Sequence, residues 1–330
     1  MMRAFDYMRA DDPAAAVKAA NATSQYLAGG TTLLDLMKLD VMQPKQVIDI
    51  NGLARNFGQI EAGPNGLRLG AFVHMSEAAD HPAIRRDYPV LAQSLTLAAS
   101  AQLRNMATLG GNVLQRTRCN YFRDPSWGQC NKRNPGSGCA ALQGVNRKHA
   151  VLGTSDACIA TYPGDFAQAL IALDTMVDIV GPQGPRSIPF ENLHVAPGQT
   201  AQIETTLKPG DLIIGFSLPA KPWFRRSLYL KIRDRESYEF ALASAAVALD
   251  MDGKVVREAR IAIGGVATKP WRAREAEAAL ANQPLNPKTA MQAAEAAFSA
   301  AVTHGGNDYK PDLGRRTLVR ALLQAQAMEI

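Results

Sequence analysis

The chain has 330 residues, 47% of them hydrophobic and 20% charged, which is enough to bury the cores of two or three compact units. This balance excludes the disordered and fibrous classes. The 36 basic and 30 acidic residues give a net charge of +6, a modest excess that does not indicate a nucleic-acid-binding module. No apolar run approaches the roughly 18 residues that a membrane span needs.

The first predicted elements are a helix over residues 13–24, a strand over 25–28 and a helix over 33–38. Between the last two lies the sequence Gly-Gly-Thr-Thr, residues 29–32. Backbone N–H groups freed by glycines at such a turn, together with threonine hydroxyls, can bind a pyrophosphate. The alternative is a turn that only reverses the chain, and no GxGxxG fingerprint supports a Rossmann fold.

Further along, strands are predicted over 47–50 and 67–69, and helical material over 77–101. A second glycine-rich turn follows at residues 108–112, with the sequence Thr-Leu-Gly-Gly-Asn. Two such turns can bind one extended cofactor from two sides.

The four cysteines of the chain all lie within a loop-like segment rich in Gly, Asn, Pro, Arg and Lys, so they are expected to share one role. They are Cys119, Cys130, Cys139 and Cys158. Ten, eight and eighteen residues separate them, which matches neither zinc ribbons nor ferredoxin motifs. The residues alone leave open an iron–sulfur cluster, a structural zinc, disulfides or free thiols.

Charge in this segment favours the iron–sulfur alternative. Between residues 116 and 149 seven Lys or Arg residues accompany one acid, Asp124. Four thiolates around an iron–sulfur core leave a negative site, and a cationic loop would offset that charge and raise the reduction potential.

The region after the cysteines predicts a strand over 159–162, a helix over 165–174 and strands over 177–180 and 211–217. The motifs LAGGTTLLDLMK, ATLGGN and YPGDFAQALIALD then resemble the FAD-binding subunits of molybdenum hydroxylases, the family of xanthine dehydrogenase, carbon monoxide dehydrogenase and bacterial aldehyde oxidoreductases. The segments YLKIRDRESYEFALASAAVAL and IAIGGVATKPWRAREAEAAL resemble the same family's C-terminal domain.

The resemblance implies an α+β fold. Residues 1–222 would form a PCMH-type FAD-binding domain, like that of vanillyl-alcohol oxidase, with two α/β subdomains and an insertion at 113–160. Residues 223–330 would form a small α+β domain of the CO dehydrogenase flavoprotein type, a three-stranded sheet with helices.

The flavin contacts that the resemblance implies are Leu27, Ala28, Gly29, Gly30, Thr31, Thr32, Leu33, Leu34, Thr108, Asn112, Asp165, Ile213 and Lys231. Residues 27–34 would surround the pyrophosphate, Thr108 and Asn112 would contact the diphosphate or ribityl region, and Ile213 would lie beside the isoalloxazine. Simpler alternatives are a helix N-cap for Asp165, a surface charge for Lys231 and a core strand position for Ile213. No catalytic acid or base is expected in this chain.

The cysteine insertion is absent from most of that family. It resembles the insertion of hydroxybenzoyl-CoA reductase flavin subunits and, more closely, of periplasmic aldehyde oxidoreductase flavin subunits, where four cysteines hold an additional [4Fe-4S] cluster. The resemblance therefore implies such a cluster on Cys119, Cys130, Cys139 and Cys158. His149 lies beside this segment, but four cysteines complete the ligand set without it.

The implied function is electron transfer, with FAD and a [4Fe-4S] cluster as cofactors. The implied partners are a molybdenum-cofactor large subunit and a [2Fe-2S] small subunit in a heterotrimer, and an external electron acceptor. The alternatives are a stand-alone flavin oxidoreductase with a structural zinc loop, and a non-enzymatic metal-binding or nucleic-acid-binding protein. Asp6, Asp11 and Asp12 stand where a signal peptide would be apolar, so we expect export to the periplasm only with a signal-bearing partner, and otherwise a cytoplasmic location.

Overall fold

The computed structural model describes residues 2–330, and within them strands form three sheets. The strands are β1 (Asp6–Arg9), β2 (Ser24–Leu27), β3 (Gln46–Asp49), β4 (Ile60–Gly63), β5 (Gly66–Gly70), β6 (Met176–Gly181), β7 (Gly184–Pro189), β8 (Leu212–Pro219), β9 (Ser227–Ile232), β10 (Ala243–Asp252), β11 (Val255–Gly264) and β12 (Trp271–Arg272).

The α-helices are α1 (Pro13–Ala19), α2 (Leu33–Lys38), α3 (Ala54–Phe57), α4 (Met75–Asp80), α5 (Pro82–Asp87), α6 (Pro89–Thr96), α7 (Ala101–Met106), α8 (Leu109–Val113), α9 (Asn120–Arg123), α10 (Phe166–Ala172), α11 (Arg274–Leu280), α12 (Pro287–Ala297) and α13 (Lys310–Gln326). Short 3-10 helices lie at Asn51–Leu53, Phe190–Asn192 and Pro222–Arg225.

The first sheet is small and parallel, in the order β1-β3-β2. The helix predicted to reach residue 24 ends at Ala19 instead. The Asn21 side chain accepts hydrogen bonds from the N–H and hydroxyl of Thr23, each at 2.8 Å, and so stabilises a turn in place of another helical turn. After this turn the chain forms β2, and the first glycine turn follows the end of that strand.

The second sheet is antiparallel, in the order β4-β5-β8-β6-β7, and helices cover it. The helical material predicted over 77–101 is divided into α4, α5 and α6. Pro82 and Pro89 each begin a new helix, since proline is favoured in the first turn and cannot donate an N–H within a helix. The helix α7 then leads to the second glycine segment.

The C-terminal sheet joins the two domains. Three long antiparallel strands, β9, β10 and β11, form the predicted three-stranded sheet, and the two-residue strand β12 extends its edge. Alternate residues of β10 lie in different cores: Val247 and Leu249 pack with α11, α12 and α13, whereas Ala246 and Ala248 pack into the core of the N-terminal domain. The α+β fold class predicted from the sequence is confirmed.

The cysteine segment has little regular structure. Between α8 and α10 only the single-turn helix α9 is present in the described chain. The strand predicted over 159–162 is wrong, because this segment makes single backbone bonds to different partners instead of a ladder: Ile159 accepts from Ala150 at 2.9 Å and Tyr162 donates to Ala267 at 3.0 Å. Across residues 2–330, no helix combines the length and apolar character of a transmembrane segment.

Candidate functional site

The first glycine turn, residues 29–32, packs tightly against the end of α7. A Cβ on Gly29 would lie 1.9 Å from the carbonyl oxygen of Met106, so no larger residue fits there without moving backbone. Gly30 has a φ of +71°, in the left-handed region that favours glycine. Thr32 occupies the N-cap position of α2 without forming a side-chain capping bond. The turn therefore needs its glycines and keeps the Thr32 hydroxyl available to a ligand.

The second glycine segment begins a helix and is not the turn that the sequence predicts. Thr108 is the N-cap of α8, and its hydroxyl accepts from the Gly111 N–H at 3.2 Å. Gly110 donates to the Ala71 carbonyl at 2.8 Å, and a Cβ on Gly110 would lie 3.1 Å from that of Ala71. Small residues let α8 approach the chain after β5 closely enough to face the first turn.

Two neighbouring cavities lie beside these glycine segments, and residues of the C-terminal domain, Arg235 to Phe240, line only the second of them. The first, of about 240 Å³, is lined by Ala28 to Leu33, Thr108 and Ile213 among others. The second, of about 400 Å³, is lined by Asn112 and Asp165 and shares Thr31 and Thr32 with the first. We call the two together the joined cavity, and its waist is the first glycine turn.

Three of the predicted flavin contacts do not line the joined cavity. Leu27 and Leu34 pack beside Gly30, where their side chains would lie 3.3 and 3.0 Å from an added Cβ. Lys231 lies behind Asp165. These residues support the cavity wall, and the roles of all thirteen remain predictions.

The wall of the second cavity carries polar atoms that lack partners. Asn112 Oδ1 and Arg118 Nε are buried and make no hydrogen bond within residues 2–330. Buried polar atoms are nearly always paired, so a polar ligand in this cavity would satisfy them. The backbone and the threonine hydroxyls of the first glycine turn, which line both cavities, are donor groups that suit a diphosphate such as that of FAD.

Asp165 and Lys231 form a buried ion pair beneath the second cavity. Lys231 Nζ lies 2.8 Å from Asp165 Oδ2, with side-chain exposures of 1% and 5%, so the surface-charge alternative for Lys231 is wrong. Tyr229 donates its hydroxyl to Asp165 Oδ1 at 2.6 Å. Asp165 does occupy the N-cap position of α10, but its carboxylate makes no capping bond. Burial raises the pKa of Asp165, and the Lys231 ammonium and Tyr229 hydroxyl oppose that rise.

This pair connects the two domains at the cavity. Asp165 begins α10 in the N-terminal domain, whereas Tyr229 and Lys231 lie on β9 of the C-terminal domain. Lys231 also donates to the Leu97 carbonyl at 3.1 Å. The sequence analysis missed Tyr229, although the two-residue period of a strand places positions 229 and 231 on one face. Ile213 is 4% exposed on β8, so it is both a core strand residue and part of the cavity wall.

Cys119 packs near each of the other three cysteines, although up to 39 positions separate them in the sequence. Cys119 packs against two apolar clusters, one that contains Cys130 and another that contains Cys158. In a third cluster, both Cys119 and Cys139 pack around Tyr121. All four are free thiols. Within residues 2–330, no three His, Cys, Asp or Glu side chains are grouped so as to hold a metal ion.

The four thiols differ in their surroundings. Cys139 and Cys158 share a hydrogen bond, which lowers the pKa of Cys139 to about 6 and raises that of Cys158. Burial raises the pKa of Cys119 to about 11. Of the three thiols whose pKa is shifted, Cys139 is the one whose surroundings favour the thiolate, which is the form that binds metal.

One histidine joins this group. His149 Nε2 lies 3.2 Å from Cys119 Sγ, and burial lowers the pKa of the ring to about 4. The opposite ring nitrogen, Nδ1, is buried with no partner among the described residues. The sequence analysis gave this histidine no role, since 30 positions separate it from Cys119.

The cations of the cysteine segment mostly face carboxylates instead of thiols. Arg116 and Lys132 each lie 2.6 Å from Glu204, while Arg118 and Arg123 both bind Asp35. The Arg147 and Lys148 side chains pair with Asp234, and Arg133 donates to backbone carbonyls. Acids distant in the sequence therefore pair with most of these cations, and the prediction that the cations offset a negative cluster stays a prediction.

The fold and the joined cavity define a two-domain flavoprotein architecture, and comparison with known proteins supports that class. The family described as "FAD binding domain in molybdopterin dehydrogenase" matches residues 3–221, and the "CO dehydrogenase flavoprotein C-terminal domain" matches residues 228–325. The aldehyde oxidoreductase FAD-binding subunit PaoB of Escherichia coli is 46% identical over 99% of both chains. The carbon monoxide dehydrogenase medium chain of Hydrogenophaga pseudoflava is 25% identical over 92% of this chain and 90% of that one.

Solved structures show the same architecture. A carbon monoxide dehydrogenase chain from Hydrogenophaga pseudoflava superposes with a TM-score of 0.77 at 24% identity, covering 99% of each chain. A chain of quinoline 2-oxidoreductase from Pseudomonas putida gives a TM-score of 0.73 at 21% identity, covering 99% of this chain and 98% of that one. These likenesses show the fold. The chain belongs to the FAD-binding subunits of the molybdenum hydroxylases, and it is an oxidoreductase subunit.

Proposed function

We propose that this chain is the electron-transfer subunit of a molybdenum-cofactor aldehyde oxidoreductase, receiving electrons from iron–sulfur clusters and delivering them through FAD to an external acceptor. The observation that carries this proposal is the 46% identity, over 99% of both chains, to a protein named as an aldehyde oxidoreductase FAD-binding subunit. Bound flavin takes up and releases electrons singly or in pairs, and the protein supplies its placement and electrostatics.

The FAD contacts that we propose follow the joined cavity. Gly29 and Gly30 allow the backbone to approach the diphosphate, and Thr31 and Thr32 donate hydroxyls at the waist. Asn112 offers its unpaired amide oxygen to the second cavity. The Asp165–Lys231 pair fixes the wall beneath the bound cofactor and ties it to the C-terminal domain.

We propose that Cys119, Cys130, Cys139 and Cys158 hold a [4Fe-4S] cluster. Two observations support this: Cys119 packs near each of the other three cysteines, and none of the four is bonded in a disulfide. In such a cluster each thiolate binds a different iron, so the ligands surround a cube and not a single ion. The cluster, when bound, carries one electron at a time.

The helix α2 lies between the two proposed cofactors. It follows the first glycine turn, and its Leu36 packs with Cys130. Its Asp35 carboxylate lies 3.2 Å from the guanidinium of Arg118, which precedes Cys119 directly, and 2.7 Å from that of Arg123, which follows Cys119 in helix α9. Arg118 also lines the joined cavity. A single short helix therefore contacts both proposed sites.

The proposal includes two partner subunits, one with the molybdenum cofactor and one with [2Fe-2S] clusters, in a heterotrimer. The names of the similar proteins support this assembly, since they describe medium chains and FAD-binding subunits. We further propose that the complex is periplasmic and that this chain is exported together with a signal-bearing partner. Fractionation of cells that express all three subunits tests the location.

The test of the cofactors is the iron, acid-labile sulfide and flavin content of the anaerobically purified complex. Single Cys→Ser variants at positions 119, 130, 139 and 158 are compared with Ser126→Ala, a conservative change at an exposed position of the same segment. We expect each cysteine variant to lose about four irons, one for each metal of a [4Fe-4S] cluster, and to keep FAD. Unchanged iron would contradict the cluster, and stoichiometric zinc would indicate a structural loop instead.

A further inference from the structure

His149 is in contact with a proposed cluster ligand without being needed as a ligand itself. Its Nε2 lies 3.2 Å from Cys119 Sγ, and its ring lies 6.3 Å from that of Tyr121, centroid to centroid. Tyr121 packs beside Cys119 and accepts the Val145 N–H at 2.6 Å. The imidazole therefore lies near both the Tyr121 ring and the Cys119 sulfur.

The direction of this hydrogen bond follows from the chemistry of the sulfur. A metal-bound thiolate carries no proton and can only accept, so the contact is a hydrogen bond when His149 Nε2 carries the ring proton. Hydrogen bonds to cluster sulfurs reduce the electron density on the sulfur and raise the reduction potential of the cluster.

The C-terminal domain fixes the segment that carries His149. Four side-chain hydrogen bonds connect residues 146–150 with residues 304–310. Asn307, Lys310 and Tyr309 donate to the backbone carbonyls of Ala150, Lys148 and Arg147 at 3.0, 3.1 and 3.1 Å respectively. In the opposite direction, Asn146 donates to the His304 carbonyl at 2.7 Å. We call this set the backbone clamp. Three of its donors come from the C-terminal domain, and their acceptors are carbonyls on both sides of His149.

We infer that His149 is a positioning residue that donates a hydrogen bond to Cys119 and raises the reduction potential of the [4Fe-4S] cluster, and that the backbone clamp holds it in place. The inference rests on the proposed cluster. It gives the C-terminal domain a second role, because this domain contacts the flavin side through Lys231 and the cysteine side through the clamp.

The experiment is an EPR-monitored redox titration of the purified complex. His149→Leu removes the donor, His149→Gln keeps an N–H donor, and Tyr309→Phe removes one clamp bond at a partly exposed side chain. His81→Gln, in the connection between α4 and α5, is the matched control. We expect a clearly lower cluster potential in His149→Leu, a smaller decrease in His149→Gln and Tyr309→Phe, and no change in His81→Gln.

A second measurement does not depend on the variants remaining folded. The chain has five histidines, so ¹⁵N-histidine labelling is selective. We expect pulsed EPR of the reduced wild-type cluster to show coupling to one histidine nitrogen. Wild-type protein that contains the four irons but shows no such coupling, or a His149→Leu variant with an unchanged potential, would overturn the inference. Wild-type protein without these irons would overturn the proposed cluster as well.

Discussion

The first glycine turn and the cysteine segment are both irregular backbone beside a proposed cofactor, yet different forces hold them. The first glycine turn is set by close backbone packing, since a Cβ added to Gly29 would lie only 1.9 Å from the Met106 carbonyl oxygen. The cysteine segment is set by side chains that reach distant parts of the chain, such as Asp35, Glu204 and Asn307. Backbone packing tolerates almost no substitution, whereas a network of bonds can lose one member and keep its shape.

The largest effect is expected where the flavin side relies on one buried charge pair. Lys231→Met leaves the buried Asp165 carboxylate without its cation, and breaking such a pair typically costs about 3–5 kcal/mol. We expect chemical denaturation to show a loss of this size together with loss of FAD, while iron is retained. The double variant Asp165→Leu with Lys231→Met should recover part of the stability. Arg147→Ala, which breaks an exposed pair with Asp234, is the control and should cost less than about 1 kcal/mol.

The second-largest effect is expected from adding a methyl group at Gly29, where the backbone is crowded, in comparison with Gly63, where it is open. Gly29→Ala places a methyl group against the Met106 carbonyl, and the overlap should cost about 2–3 kcal/mol. Absorbance at the flavin band should fall, since the turn must move away from the joined cavity. Gly63→Ala, where an added Cβ meets nothing within 4 Å, should retain flavin and stability. Equal flavin content in both variants would contradict the role assigned to the turn.

The smallest effect is expected in the pH dependence of the free energy of unfolding, through Lys310, a member of the backbone clamp beside the cysteine segment. Lys310 is fully buried, and burial, aided by Arg147 and Lys148, lowers its pKa to about 7. The unfolded lysine has a higher pKa, so between the two values the unfolded chain binds more protons and the free energy of unfolding rises with pH. We expect this rise to contribute up to roughly 2 kcal/mol between pH 7 and pH 9. Lys310→Met should flatten the slope in denaturation curves, and an unchanged slope would show that the lysine does not titrate there.

Local sequence predicted the flavin side well. The helix over 33–38 has the predicted bounds, and β2 and β8 lie within a residue or two of their predictions. Errors occurred where a local bond competed with the regular pattern. Asn21 ended α1 early, and Thr108 capped a helix within a segment predicted to be a turn. Side-chain bonds of this kind depend on backbone geometry that periodicity does not contain.

The cysteine side was predictable only in part. The clustering of four cysteines in the sequence indicated a shared role, which stays a prediction; the structure places Cys119 near each of the other three. The partners of the surrounding cations were beyond reach, because Asp35 lies 88 positions from Arg123 and Glu204 lies 72 from Lys132. The contact between His149 and Cys119 likewise depends on the clamp from residues 304–310, which no spacing rule connects to residue 149.

The sequence by itself determined the first glycine turn and the bounds of the helix that follows it, because these rest on short-range pattern and residue chemistry, and its resemblance to a known family implied the α+β class. The tertiary structure decided which charges are neutralised, that Lys231 is buried with Asp165 and Tyr229, and that one histidine contacts one thiol. Each of these depends on which distant segments of the chain pack against one another and bury the groups between them. The interaction of a charge or a polar group changes with its burial far more than with its position in the chain.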